Sequence, residues 1–499
     1  MFKIEIDFID LLYIVAKFQT MKSLLFALIC CFLGISSSFS QVLTWSPIEA
    51  IGPGNGFGRN RPRIVVTNND VPIVMWGNAN TKRIYVSRRV GTSFSAAVQV
   101  NPTGTQPFIT DWAAPGIACS GDTVFVVYED GLQVFTVRSL DGGATWGDSV
   151  RVTNLGADVA RFPDIATIAG GNPVVTFMRM TSSFSQPDFA LSRSIDGGQT
   201  YLADIPVANN VTGDACDCCP PGITAEGNKV AVLWRNNNTD IRDIWVALSS
   251  NGGMSIDTAL DMDLSDWNIA GCPSSGPDAY YSNDSLFAVW KTGAVAPGPV
   301  QIGSAHFQNH GFGWNRDIDP LGPASQNYPR IAGKGDTLGT VWEDNRNDDT
   351  DPYFSFSTTG PANLLNPGIN LKGADSLGSQ KNPDIAFRNR KFHFVWQDED
   401  SVKVYYRSAS FNMSTGIEND LQLQVEIFPN PNTGSFYIGV NGTAVISQIT
   451  IRDLQGKIIF SDSNHENTHL ISLEGISRGI YLAEISADGK IARKKIVLE

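Results

Sequence analysis

Histidine is scarce in this chain, 5 residues of 499, which argues against His-based metal catalysis. Charge is scarce too: only 17% of residues are Asp, Glu, Lys or Arg, and their balance is acidic, with a formal net charge of -13. No run of Lys and Arg occurs before the last few residues, so no surface is expected to track a phosphate backbone, and nucleic acid is excluded as a partner. Beyond the N-terminal region no stretch supplies the ~20 apolar residues of a membrane span, so the mature chain is expected to carry no transmembrane segment. The HExxH, Walker A, GxSxG and dinucleotide-binding patterns are all missing. The Ala, Glu, Lys and Leu enrichment of helical bundles is missing as well.

What is abundant points to one class. Glycine (47) and proline (26) supply tight turns, while 27 Phe, 12 Tyr and 11 Trp in a 42% hydrophobic chain supply a large core. Between the two ends one pattern recurs: a Pro-x-Ile opening, a short apolar strand, a turn, a Val-rich strand closing on an aromatic, and a third strand. The openings begin at Pro62, Pro115, Pro163, Pro221, Pro277, Pro329 and Pro383, and the second strands close at Trp76, Tyr128, Phe177, Trp234, Trp290, Trp342 and Trp396. A period of roughly 50 residues with several strands per unit predicts an all-β fold, a β-propeller whose units bury their faces against their neighbours. The repeats predict seven blades, with six as the alternative. The seventh repeat stops near Asn412 without a fourth strand, and Thr44 to Ile48 has the character to complete it.

The ends have their own signatures. From Met21 a lysine, an apolar run and small residues up to Ser40 form a secretory signal peptide, so residues 1–40 comprise an N-terminal extension plus the signal at 21–40. The propeller is assigned to 41–412, a polar linker to 413–424, and a small Ig-like β-sandwich of short alternating strands to 425–499. In that last segment Pro429-Asn430-Pro431 with Gly434, the Asp453 to Lys457 turn, Gly479-Ile480-Tyr481 and the Lys-Lys-containing end resemble the C-terminal sorting domain of the type IX secretion system of Bacteroidetes. The resemblance implies a secreted or cell-surface protein that engages that secretion machinery.

Two turns carry a sharper motif, Ser139-x-Asp141-x-Gly143 through Trp146 and Ser194-x-Asp196-x-Gly198 through Tyr201, with Ser249 to Ile256 as a worn copy. Aspartate accepts backbone N–H groups and glycine takes positive φ, which is hairpin chemistry with a structural role. These turns resemble the Asp-box of sialidases and other BNR-repeat propellers. That resemblance implies an arginine triad drawn from Arg63, Arg235 or Arg242, and Arg330, a Tyr353 nucleophile polarised by Glu343, and Asp111 or Asp130 as acid/base. Guanidinium groups converging on a carboxylate would suit an acidic sugar. The residue inside each opening gives a ring around the channel: Arg63, Gly116, Asp164, Gly222, Asp278, Arg330 and Asp384.

Cys216, Cys218, Cys219 and Cys272 fall in consecutive loops. In an exported chain they suit two disulfides, one through Cys272, and a thiolate metal site is the alternative. Cys119 is expected as a buried free thiol. No cofactor is required, although the oxygen-rich loop from Glu343 to Asp351 would suit Ca²⁺. The expected function is a secreted sialidase-like propeller that binds, with or without hydrolysing, an extracellular glycan or glycoprotein. A catalytic exo-α-sialidase or related glycosidase and a non-catalytic adhesive or structural surface protein are the alternatives.

Overall fold

The computed structural model describes residues 43–53, 60–154, 156, 158–208, 211–282, 284–296, 298–306, 311–320, 324–365, 367–372, 378–411, 425–440, 445–465, 468–473, 475–487 and 490–499. The expected leader (1–40) and linker (413–424) lie outside them. The chain divides into two compact units, Met1–Asn412 and Met413–Glu499.

In the first unit the described strands form seven antiparallel sheets of four or five strands. Their first strands are Arg63–Val66, Gly116–Ser120, Val159–Thr167, Gly222–Glu226, Asp278–Ser282, Gln326–Lys334 and Gln380–Arg388. Each first strand contacts the next, and the seventh contacts the first, so the sheets are arranged around a closed ring. The ring is fastened by the N-terminal strand Leu43–Trp45, which lies antiparallel to Lys403–Phe411 with Leu43 opposite Phe411. Trp45 stacks on Phe394 at 5.8 Å, adding an aromatic contact to the strand pairing. The aromatics that close the second strands, Trp76, Tyr128, Phe177, Trp234, Trp290, Trp342 and Trp396, are all 0–1% exposed. They fill the space between sheets, where each large apolar side chain contributes about 1.5–3 kcal/mol.

Two ring positions are glycine because the neighbouring first strand comes too close for a side chain. A Cβ on Gly116 would lie 2.8 Å from Asp164 Oδ1, and one on Gly222 would lie 2.6 Å from the Pro277 carbonyl. Elsewhere the first strands bulge at the proline, with register shifts between Arg161 and Asp164, Asn327 and Arg330, and Lys381 and Asp384. The residue before the proline is left-handed in four sheets: Arg61 (φ 40°), Phe162 (φ 51°), Tyr328 (φ 45°) and Asn382 (φ 52°). Bulges suit proline, which has no N–H to give to the ladder.

The Ser-x-Asp turns join third to fourth strands. Asp141 Oδ1 accepts the N–H groups of Ala144 (3.0 Å) and Thr145 (2.9 Å), and Ser139 Oγ accepts that of Gly143 (2.9 Å). Asp196 and Ser194 repeat this, and Asn251 with Ser249 repeats it again in the worn copy. Each hairpin glycine packs on the preceding sheet: Gly143 on Ile73, Gly198 on Phe125, Gly253 on Leu191.

The second unit has a three-stranded sheet (Val425–Phe428, Ser435–Val440, Thr468–Ser472) and a four-stranded one (Ile458–His465, Ile446–Arg452, Gly479–Ala487, Lys490–Leu498). Alternate residues such as Phe436, Ile438, Ile449, Ile451, Ala483 and Ile485 form its core. Asn430 ties the Pro-Asn-Pro segment to the last strand, accepting the Val497 N–H at 2.8 Å and donating to the Lys495 carbonyl at 2.7 Å.

Gly222→Ala is expected to destabilise the first unit by ~1–3 kcal/mol through overpacking. Thermal unfolding of the two proteins measures it, and an unchanged midpoint would contradict the close approach at Pro277.

Candidate functional site

The seven strand openings converge on one concavity at the mouth of the ring. Its walls include Pro115, Pro163, Pro221, Pro277, Pro329 and Pro383, its aromatic groups are Trp112 and Tyr328, and its charged groups are Arg61, Arg63, Asp164 and Arg330. The concavity is open to solvent, and the water-sized space at its base is about 30 Å³. That volume admits a few water-sized groups, enough for a carboxylate head but not for a sugar ring.

The charges are not equally engaged. Arg330 Nε lies 2.9 Å from Asp384 Oδ1 and 3.4 Å from Asp278 Oδ2. Those carboxylates also tie strand to strand: Asp278 Oδ2 accepts the Ile331 N–H at 2.9 Å, and Asp384 Oδ2 accepts the Ile64 N–H at 2.8 Å. Arg63 has no carboxylate within 4.0 Å among the described residues, and burial with Arg330 and Arg61 as neighbours lowers its pKa to about 9. Arg61 is 6% exposed. Its Nη1 donates to the Asp111 carbonyl at 3.0 Å, its guanidinium lies 5.0 Å from the Tyr328 ring centre, and its Nε has no partner. Burial raises the Asp164 carboxyl to about 6 despite Arg330 and Arg63 beside it.

Arg61 was not among the sequence-derived candidates. Its signal is its position directly before a strand-opening proline, shared with Tyr328 and Asn382, where the left-handed backbone turns the side chain to the mouth. An acceptor on the preceding sheet holds three of the four left-handed turns: Gln397 Oε1 takes the N–H of Asn60 (2.9 Å) and Arg61 (3.2 Å), Glu129 Oε2 that of Phe162 (3.2 Å), and Glu343 Oε1 that of Asn382 (2.6 Å), whereas the Tyr328 N–H is taken by its neighbour Asn327 Oδ1 (2.9 Å). In those three cases the acceptor directly follows the aromatic that closes a second strand.

The expected triad is therefore divided. Arg63 and Arg330 share the mouth, but Arg235 and Arg242 do not line it. Arg235 is fully buried and donates to three carbonyls, Ser275 (3.3 Å), Arg242 (2.6 Å) and Lys291 (2.7 Å), while lying 5.1 Å from the Trp267 ring centre. Arg242 donates to Cys216 Sγ at 3.3 Å.

The structure does not assemble Tyr353 with Glu343. Tyr353 pairs across the ladder with Trp342 and stacks on it at 6.3 Å, whereas Glu343 faces Pro352. Because strand side chains alternate, the two project from opposite faces of the sheet. The Tyr353 hydroxyl accepts from Asn347 Nδ2 at 2.8 Å, and Glu343 holds the turn at Asn382 with its carboxyl raised by burial to about 7. Asp111 has an exposed side chain, and Asp130 accepts the Gln106 N–H at 2.8 Å.

In the loop considered for Ca²⁺, Asp344 pairs with Arg346 and Asp351 with Lys372. Cys218 and Cys272 form a disulfide, Cys216 and Cys219 are buried free thiols, and Cys119 is a half-buried one. Cys216, Cys218 and Cys219 cluster with their sulfurs within 4.8 Å of one another.

On the opposite side, the first sheet's hairpin is a short turn at Gly91-Thr92 without the Ser-x-Asp motif, and nothing packs against Gly91. The space between the seventh and first sheets stays open as a groove of about 810 Å³, whose walls include Arg89, Arg388, Lys391, His393 and Tyr406.

Glu343→Gln, which copies the acceptor Gln397, is expected to leave stability nearly unchanged. Glu343→Ala leaves the Asn382 N–H unpaired and is expected to cost about 1–3 kcal/mol by denaturant unfolding. Equal losses in the two variants would argue against the acceptor role.

No curated protein matches this chain. Solved structures similar to it include a Trypanosoma rangeli sialidase in complex with the inhibitor DANA, 12% identical over 91% of this chain and 89% of that one with a TM-score of 0.43. They also include a Penicillium chrysogenum α-L-arabinanase complexed with arabinobiose (11% identity, 74% and 98% covered, TM-score 0.43) and a PL25 ulvan lyase (9% identity, 71% and 95% covered, TM-score 0.47). Residues 426–499 match the family described as the secretion system C-terminal sorting domain, so the chain ends in a type IX sorting domain and is an exported, secreted or cell-surface protein.

Proposed function

We propose that the first unit is a seven-bladed propeller, carried by an Ig-like sorting domain, that binds an acidic extracellular glycan through a carboxylate seated in the mouth of the ring. The observation that carries this reading is the pair of cations there: Arg61, buried with its Nε unpartnered, and Arg63, which among the described residues has no carboxylate within 4.0 Å. Guanidinium is the side chain best matched to a carboxylate, and burial strengthens the contact. The space at the base of the concavity suits a carboxylate head, and the sugar ring would rest above it on Trp112, Tyr328 and the prolines. Binding without hydrolysis fits this geometry better than a sialidase site. Tyr328 is the aromatic hydroxyl near Arg61 and Glu343, but burial pushes its pKa up to about 12, away from an activated nucleophile.

The test is calorimetric titration of the exported protein with sialic and uronic acid glycosides and their methyl esters. The acids should bind and the esters should not. Arg61→Ala or Arg63→Ala should each weaken binding about 10- to 100-fold, and Arg63→Lys should restore little of it. Fluorophore release from a sialoside, abolished by Tyr328→Phe, would overturn the non-hydrolytic reading.

Binding should also depend on pH with a defined sign. Asp164 carries a raised carboxyl, so it loses its negative charge as pH falls through about 6, while the ligand carboxylate remains ionised. Affinity should rise from pH 7 to pH 5, and Asp164→Asn should flatten that part of the profile. Weakening toward pH 5 would show that Asp164 does not govern the mouth.

A further inference from the structure

The loops that open the fourth and fifth sheets bring four cysteines together. Cys218 is bonded to Cys272, while Cys216 and Cys219 are thiols with no exposed surface. Cys216 Sγ lies 3.0 Å from Cys219 Sγ and 3.5 Å from Cys218 Sγ. One buried sulfur thus touches both a free thiol and one end of a disulfide. Exchange needs such a thiolate in contact with a disulfide sulfur. Arg242 supplies the charge, with Nη1 3.3 Å from Cys216 Sγ.

The same guanidinium argues against a metal ion, since a cation would have to sit beside it and Cys218 is already committed to Cys272. Burial further restricts the chemistry: among the described residues the sulfurs in reach of Cys216 are Cys218 and Cys219, so the exchange is internal.

We propose that Cys216, Cys218, Cys219 and Cys272 form an internal thiol–disulfide exchange centre that moves the disulfide between Cys218–Cys272 and Cys216–Cys219. In the first step the Cys216 thiolate attacks Cys218 Sγ. The Cys216–Cys218 bond forms, the Cys218–Cys272 bond breaks, and Cys272, which is exposed, leaves as a thiolate and takes a proton from water. In the second step Cys219 Sγ attacks Cys216 Sγ, the Cys216–Cys218 bond breaks, and the Cys219 proton passes to the departing Cys218 sulfur, which leaves as a thiol. One disulfide and two thiols are present before and after, so no oxidant or reductant is needed. The product unfastens the Cys272 loop from the Cys216 to Cys219 loop. The thiols are tuned in the required sense: the hydrogen bond from Cys219, aided by Arg242 and Arg235, lowers the Cys216 pKa against burial, and burial raises that of Cys219.

The experiment is native alkylation of the exported protein with iodoacetamide, followed by digestion and disulfide mapping without reduction. Wild type should give two linkage isomers, with Cys272 alkylated in the molecules that carry Cys216–Cys219. Cys216→Ser should leave Cys218–Cys272 as the sole linkage and Cys272 unalkylated. Cys219→Ser, which blocks the second step, should accumulate Cys216–Cys218 with Cys272 alkylated. Alkylation of Cys272 in Cys216→Ser at the wild-type rate would overturn the proposal. So would a wild-type map with Cys218–Cys272 alone, one with both disulfides formed and no thiol left to attack, or a stoichiometric bound metal with the thiols protected. If a serine variant does not fold, the wild-type map alone decides.

Discussion

The left-handed residue before a strand-opening proline, and the acceptor that holds it, organise three of the seven junctions of the ring. Such a backbone costs about 1–3 kcal/mol for a residue other than glycine, and the following proline narrows the choice further. Left alone, Arg61, Phe162 and Asn382 would relax toward extended geometry. Gln397, Glu129 and Glu343 prevent that by accepting their N–H groups from the preceding sheet. One hydrogen bond therefore joins two sheets, fixes a bulge in the first strand and aims a side chain. Packing at the periphery and chemistry at the centre share a cause.

The charge pattern follows from the same strands. The aspartates at the ring position are held by the next strand's N–H: Asp278 by Ile331 and Asp384 by Ile64. They are thereby placed on either side of Arg330 and neutralise it. Asp164 is left with Arg63, and burial drives it toward the neutral acid. The mouth thus holds one guanidinium paired with carboxylates and two that donate only to backbone carbonyls, in a protein whose overall charge is -13. Net charge describes the solvated outside, whereas the mouth sets three guanidinium groups against three aspartates, a far less acidic balance that turns positive as Asp164 is protonated below about pH 6.

The repeat was legible in the sequence because its signals are local: proline spacing, closing aromatics and the N-terminal strand that completes the last sheet. The Ser-x-Asp turns were legible for the same reason, each being bonded within itself. The site was only half legible. Arg63 and Arg330 occupy the ring position, which spacing reveals. Arg235 lies one residue beyond a closing Trp, a position that faces the next sheet's loop, so it binds carbonyls. Tyr353 could have been set aside on parity alone, since it shares a face with Trp342 and Glu343 does not. Arg61 required knowing that the backbone before Pro62 turns left-handed, a property decided by Gln397, 336 residues away.

Between the fourth and fifth sheets the pattern reverses, and the reversal accounts for the cysteines. The residues before the opening prolines there are Pro220 and Gly276, and a Cβ on Gly276 would lie 2.2 Å from the Pro220 carbonyl. The loops approach too closely for a side-chain acceptor to sit between them. At the acceptor's position stands Arg235, a donor, which reaches the Ser275 carbonyl instead of an N–H. A donor to a carbonyl leaves the loops' own N–H groups without the anchor used at Arg61, Phe162 and Asn382. The Cys218–Cys272 bond supplies the tie between the same two loops. A hydrogen bond to a strained turn cannot be exchanged for another without unfolding it, whereas a disulfide beside two thiols can, so this junction, which lacks the acceptor and is tied by sulfur, is able to change its fastening.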